Sequence, residues 1–129
     1  MSRNISVLVI DDDPDHLKIY GWILKAAGFH AVTAQVTPVR VFLPPEGMVD
    51  AIVLDYRLVG SVTAVDAARQ ARQRYPDAPI IILSDLYDMP TNIAPFARTF
   101  VHKGDPDKLI AAIRALLPEE TAVQADEVS

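Results

Sequence analysis

Five side chains in this 129-residue sequence could do chemistry together: Asp11, Asp12, Asp55, Ser84 and Lys103. Each stands at the end of a short apolar run. Val7-Leu8-Val9-Ile10 runs into Asp11-Asp12-Asp13, and Ala51-Ile52-Val53-Leu54 into Asp55. Ile80-Ile81-Ile82-Leu83 leads to Ser84-Asp85, and Phe100-Val101-His102 to Lys103. Carboxylates drawn together away from water repel, so each resists ionising alone. A divalent cation removes that penalty. The ligands are all hard oxygens with no Cys or His cluster among them, which selects Mg²⁺ or Mn²⁺ over zinc. Mg²⁺ commonly takes one or two carboxylates, keeps several waters and uses substrate phosphate as a further ligand. Lys103 would bring a second positive charge for phosphate oxygens, and Ser84 a hydroxyl. A carboxylate beside such an ion can attack phosphorus and form an aspartyl-phosphate. Taken singly, each residue has an ordinary explanation, such as a helix N-terminus for Asp11 to Asp13 or a surface site for Lys103. The joint arrangement is hard to produce by accident.

The elements that must position these residues follow from pattern. Apolar runs this short, without polar alternation, suit parallel strands buried on both faces. Strands are expected over residues 5–10, 30–34, 51–54, 79–83 and 99–102. Asp13-Pro14 reads as an N-cap followed by proline at the first helical position. Leu17, Tyr20, Ile23, Leu24 and Ala27 then recur at helical spacing, and Gly28 is a natural C-terminal cap. Residues 37–43 are read as a brief helix, bounded by Pro38 and Pro44-Pro45. Ser61 or Thr63 caps a helix to about Arg74, with Arg69, Arg72 and Arg74 on a solvated outer face. Between Leu86 and Arg98, Pro90 and Pro95 leave room for one or two helical turns. Asp105-Pro106 repeats the cap and proline before a face of Leu109, Ile110, Ile113, Leu116 and Leu117. Five strands alternating with five helical segments imply a doubly wound parallel α/β sheet covered on both faces. In such sheets ligands bind at the carboxyl edge, where the acids and the lysine gather.

Composition narrows the class further. Half of the residues are apolar, which excludes general disorder. Cysteine is absent, so there is neither a disulfide scaffold nor a thiolate metal site. No apolar run approaches the roughly 18 residues of a membrane span, and the N-terminus lacks a signal-peptide apolar region. A cytoplasmic protein is expected. The formal charge is −5, but Glu119, Glu120, Asp126 and Glu127 stand in a tail without a base. The remaining chain is close to neutral and offers no basic footprint for nucleic acid. Residues 1–117 are expected to form one domain, and 118–129 an acidic, disordered tail.

The motifs Val-Ile-Asp-Asp-Asp-Pro, Val-Leu-Asp-Tyr-Arg-Leu, Ile-Ile-Leu-Ser and Phe-Val-His-Lys-Gly-Asp resemble the receiver domain of bacterial two-component response regulators. The resemblance is to a chemotaxis-regulator-like single-domain receiver. The resemblance runs from about Ser6 to Leu117. It implies a flavodoxin-like fold with strand order 2-1-3-4-5. It makes Asp55 the phosphoacceptor. Asp12 and Asp55, with the backbone carbonyl of Arg57, would ligate Mg²⁺ directly, and Asp11 through water. Ser84 and Lys103 would contact the phosphoryl group, and Phe100 falls at the switch aromatic. A sensor histidine kinase or histidine phosphotransfer protein would supply phosphate, and a downstream protein would read the result, with no direct nucleic-acid or membrane contact. Family members also form homodimers through the fourth helix, fifth strand and fifth helix, a mode that a shortened fourth segment would weaken. No output domain is expected after Leu117. Such a chain is not an enzyme beyond its own phosphorylation and dephosphorylation.

Several positions depart from the family pattern. Asp85 stands where receivers usually keep a small residue and is expected to crowd the entrance and repel a phosphoryl group. With Arg57 it is a candidate modulator. The stretch from Ser84 to Lys103 is shorter than usual, so the fourth helix is expected to be stunted. Gly104 replaces the usual proline after the lysine, Val59 a common proline and Thr63 a common glycine. His16, His30 and His102 are read as structural or surface residues. A phosphorylation-independent interaction module on the same fold is the leading rival. An Asp-nucleophile phosphatase would want a second Asp where Arg57 stands. A flavin carrier would find Asp11 to Asp13 repulsive to its phosphate.

Overall fold

The computed structural model describes residues 5–44, 48–58 and 60–117. The chain runs β1 (Ser6–Asp11), α1 (Pro14–Ala26), β2 (His30–Thr37), β3 (Arg40–Val41), β4 (Ala51–Asp55), α2 (Ala64–Arg74), β5 (Ile80–Ser84), β6 (Ala97–His102) and α3 (Pro106–Leu116). Five parallel strands lie in the order β2-β1-β4-β5-β6, which is the expected 2-1-3-4-5 arrangement. The acidic tail from residue 118 lies outside the described residues. Among the described residues no helix is long and apolar enough to cross a membrane.

Helix starts match the sequence reading because their caps are local. The Asp13 side chain accepts from the Asp15 amide at 2.9 Å, with Pro14 filling the first turn. Gly28, at φ +93°, ends α1, and the Phe29 amide reaches back to the Leu24 carbonyl. Of the two caps considered for α2, Thr63 does the work through a reciprocal box with Asp66. Asp105 caps α3 through the Lys108 amide.

Strand pleating divides the core in two. Leu8, Ile10, Ile52, Leu54, Ile80 and Ile82 face the alanines of α2. Val7, Val9, Val53, Ile81, Leu83 and Val101 face the other way, against Leu17 and Leu24 of α1 and Leu109 and Ile113 of α3. The central strands β4 and β5 are buried along their whole length. That is why they read as unbroken apolar runs.

Two expectations fail. Residues 37–43 are not helical. β2 continues to Thr37, turns at Pro38-Val39, and returns as the antiparallel β3, giving the sheet a sixth strand. Val36, Thr37, Val39 and Val41 are β-branched and favour extended backbone. Pro38 supplies the turn, and the Thr37 hydroxyl donates to the Arg40 carbonyl at 3.2 Å. The second failure is the fourth helix, which is not merely stunted. Among the described residues, 85–96 form bends, turns and irregular backbone without a helix, so three helices stand where the sequence implies five helical segments. Pro90 and Pro95 each remove an amide and push the preceding residue away from helical backbone.

The non-helical segment is held from outside instead. Ile93 is fully buried, with Met89 and Phe96 partly buried against the same core. Arg72 donates from Nη2 to the Phe96 carbonyl at 2.8 Å. The guanidinium groups of Arg69 and Arg72 lie over the Phe96 ring at 6.0 and 5.9 Å. Arg74 donates to the Pro44 carbonyl at 3.0 Å. The α2 arginines therefore clamp neighbouring loops rather than form a purely solvated face. Since no helical ladder supports 85–96, Ile93→Ala should destabilise the fold by roughly 2–5 kcal/mol, measured by urea unfolding.

Candidate functional site

Strand parity carries the chemistry to one corner. Asp11 continues the side of β1 that holds Val7 and Val9, and Asp55 the side of β4 that holds Val53. Lys103 continues the parity of Val101 just beyond β6. All three emerge on the α1 and α3 side of the carboxyl edge. Ser84 has the opposite parity, with Ile80 and Ile82.

The lysine and the central carboxylate meet. Lys103 Nζ lies 2.8 Å from Asp55 Oδ1, and Asp55 is 3% exposed. The Arg57 amide donates to the same oxygen at 3.0 Å, tying the loop after β4 to the carboxylate. Burial alone would weaken the Lys103 ammonium. The hydrogen bond and charge of Asp55, then the charge of Asp11, outweigh it and raise its pKa.

Asp11 is the most perturbed group of the site. It is 1% exposed. Burial first, and the charge of Asp55 second, push its pKa up to about 7, against the opposing bond from the Asp13 amide. The Asp12 side chain adds to the rise. Asp11 Oδ2 is buried without a hydrogen-bond partner. Donor atoms of Asp11, Asp55 and His16 lie within 4.8 Å of one another. Two buried carboxylates, one of them carrying an orphaned oxygen, suit a divalent cation that would neutralise both.

The sequence reads His16 as structural or surface, yet α1 brings it here. Its Nδ1 lies 3.4 Å from Asp11 Oδ2 and its Nε2 3.5 Å from Asp13 Oδ2. A signal was available, since the first turn of a helix capped by Asp13 must sit beside Asp11. Tyr20, one turn further on, is drawn into the same field. Burial raises its hydroxyl pKa, with Lys103, Asp11 and Asp55 acting on it as charges. His30 and His102 are exposed.

Asp85 does not stand as a bare repulsive charge. Its Oδ1 accepts from Arg57 Nε at 2.6 Å, which holds its carboxyl below the usual range. The pair joins the loops after β4 and β5. Ser84 is fully buried, and its hydroxyl accepts from the Leu86 amide at 3.0 Å. The Lys103 amide donates to the Ser84 carbonyl at 2.8 Å, fixing the two strand ends side by side. Phe100, opposite Ile82, packs partly buried on the α2 side of the sheet. Tyr56, next to Asp55, donates its hydroxyl to Asn92 Oδ1 at 2.9 Å.

Comparison with known proteins agrees with this arrangement. The family model described as the response regulator receiver domain matches residues 7–114. An NtrX-like response regulator of Rickettsia bellii is 35% identical over 81 residues, 62% of this chain, and the match spans 17% of that protein's length. A receiver domain from Clostridium thermocellum has a TM-score of 0.73 at 22% identity, covering 92% of this chain and 98% of its own. The Thermotoga maritima regulator TrrA, solved with Mg²⁺ and BeF, has a TM-score of 0.70 at 24% identity, covering 88% and 99%. The Vibrio cholerae chemotaxis protein CheY4 has a TM-score of 0.72 at 19% identity, covering 89% and 100%. At such identities the structural likeness is one of fold, while the family match spans the strand ends that form the acidic corner. This chain belongs to the response regulator receiver domain family.

Proposed function

We propose that this chain is a phosphoacceptor switch of a two-component phosphorelay, modified on Asp55. The observation that carries the reading is the buried Asp55 carboxylate, paired with Lys103 at 2.8 Å and grouped with Asp11. An Asp55 oxygen would form the new bond to phosphorus. The donor's bond from phosphorus to imidazole nitrogen would break, its electron pair staying on the imidazole. Lys103 would hold the phosphoryl oxygens, and Ser84 would turn its hydroxyl from the Leu86 amide toward them. A Mg²⁺ or Mn²⁺ ion held by Asp11, Asp12, Asp55 and the Arg57 carbonyl would supply charge neutralisation. Phe100 would serve as the switch aromatic. A histidine kinase or histidine phosphotransfer protein is the donor, a cytoplasmic protein the target, and the chain's own contribution to turnover is limited to Asp55.

A phosphorylation-independent interaction module remains the second reading. The Arg57–Asp85 pair across the loops and the absence of a helix over 85–96 favour it. Incubation with Mg²⁺ and acetyl phosphate, followed by intact mass, separates the two. One phosphoryl group should be added to the wild type and none to Asp55→Asn. An unlabelled wild type would count against the phosphoacceptor reading.

The raised Asp11 pKa gives a further test in the metal-free protein. Its folded value, about 7, lies above the ordinary carboxylate value of 3.8. The folded state therefore holds this proton more tightly than the unfolded state. That stabilisation is full below the unfolded value and drains away as pH rises to about 7. Asp11→Asn lacks the titration. With chelator present, it should gain stability relative to wild type by roughly 2–3 kcal/mol between about pH 5 and about pH 8. Urea unfolding at the two pH values measures it.

A further inference from the structure

We propose that His16 is a nitrogen ligand of the cation site, so that this pocket prefers a nitrogen-accepting first-row ion such as Mn²⁺ over Mg²⁺. The inference rests on the reading of the corner as a phosphoacceptor's cation site and narrows which cation it takes.

Two buried polar atoms of the described residues lack hydrogen-bond partners, and they face each other: Asp11 Oδ2 and His16 Nδ1, 3.4 Å apart. Native structures leave few such atoms unexplained. A direct hydrogen bond would explain neither, because the spacing is long for a charged N–H···O contact. A shared ion explains both. Ligands about 2.0–2.2 Å from one centre lie roughly 3 Å apart when adjacent and about 4.3 Å apart when opposite. The donors of Asp11, His16 and Asp55, within 4.8 Å of one another, need only a small contraction to meet that range.

The surroundings of the imidazole fit a ligating ring. Nε2 points to the Asp13 carboxylate at 3.5 Å. A carboxylate behind the distal nitrogen is the usual outer partner of a metal-bound histidine; here the contact is too long for a direct hydrogen bond and would tighten as the ring closes on the ion. Tyr20 packs edge-on against the ring, with centroids 6.4 Å apart and planes at 70°. The ring is thus oriented from one side by α1 and from the other by its own N-cap. Asp13 serves twice, capping the helix with Oδ1 and facing the histidine with Oδ2. Exchange of one oxygen ligand for imidazole costs Mg²⁺ more than Mn²⁺, because Mg²⁺ holds to oxygen and near-ideal octahedral geometry.

The test uses Mn²⁺ alone with the full chain. Electron spin echo modulation of bound Mn²⁺ should show ¹⁴N coupling from a directly bound imidazole. His16→Ala and His16→Gln should lose that coupling, while His102→Ala should keep it. Titration should show Mn²⁺ affinity falling at least about tenfold in both His16 variants, with Mg²⁺ affinity nearly unchanged. Absence of ¹⁴N coupling in the wild type, or an unchanged preference for Mn²⁺ over Mg²⁺ in both His16 variants, would overturn the proposal. Phosphorylation of Asp55 in Mg²⁺ without any ¹⁴N signal would sink this inference alone. A ¹⁴N signal without phosphorylation would sink the phosphoacceptor reading and leave His16 as a ligand.

Discussion

Two carboxylates buried at one sheet edge face one ammonium. Asp11 and Asp55 are each at most 3% exposed, and Lys103 reaches Asp55. Burying a charge is tolerable only when it is paired and hydrogen-bonded. Lys103 and the Arg57 amide satisfy Asp55. Asp11 receives the Asp13 amide on one oxygen and nothing of comparable strength on the other. The corner is therefore short of one positive charge, and the shortfall appears as a carboxyl that holds its proton to about pH 7. A ligand that brings positive charge relieves a cost already built into the fold. This is the physical basis for coupling ion binding to the state of the domain.

The rest of the molecule keeps that costly corner assembled. Parallel pairing places Ile10 beside Leu54 and Leu54 beside Ile82, so the central strands end together. Pleating then gives Asp11, Asp55 and Lys103 the same side. A slip of one residue in β4 would send Asp55 to the α2 side and Leu54 to the pocket. The fully buried aliphatic residues of β1, β4 and β5 make such a slip expensive. The core thus acts as the alignment device for the site.

Much of this was legible because the signals were local. Apolar runs ending in Asp, Ser or Lys locate strand ends without tertiary information. Asp13-Pro14, Thr63 with Asp66, and Asp105-Pro106 locate helix starts because caps bond within a few residues. Most failures have the opposite property. The β2–β3 hairpin is the exception, since its pairs are only three to five residues apart and the β-branched run around Pro38 carried the signal. Arg57 and Asp85 are 28 residues apart in sequence, and Arg72 and Phe96 are 24 apart. Each looks like an ordinary surface charge until the loops are placed. His16 lay between these cases. Its position in the first turn after an acidic cap was readable, but the approach of its ring to Asp11 depends on how α1 crosses the sheet edge.

The segment over 85–96 shows how a covering layer can be kept without a helix. Its backbone bonds are few and local, including Ile93 to Pro90 and Phe96 to Ile93. The tethers include Ile93 in the core, Arg72 on the Phe96 carbonyl, Tyr56 on Asn92 and Arg57 on Asp85. A helix resists change as a unit because its ladder is cooperative. A loop held at separate points can release them one at a time, and local opening of this kind costs less than unfolding the domain. One tether starts from Tyr56, the residue after Asp55, and another from α2, whose N-cap lies eight residues beyond Asp55. The loop after β4 is thus connected to the segment through Tyr56 and through α2. In this chain the edge of the acidic corner and the layer over β5 and β6 are joined by the Tyr56–Asn92 bond and by α2 through Arg72, with no helix in the segment itself.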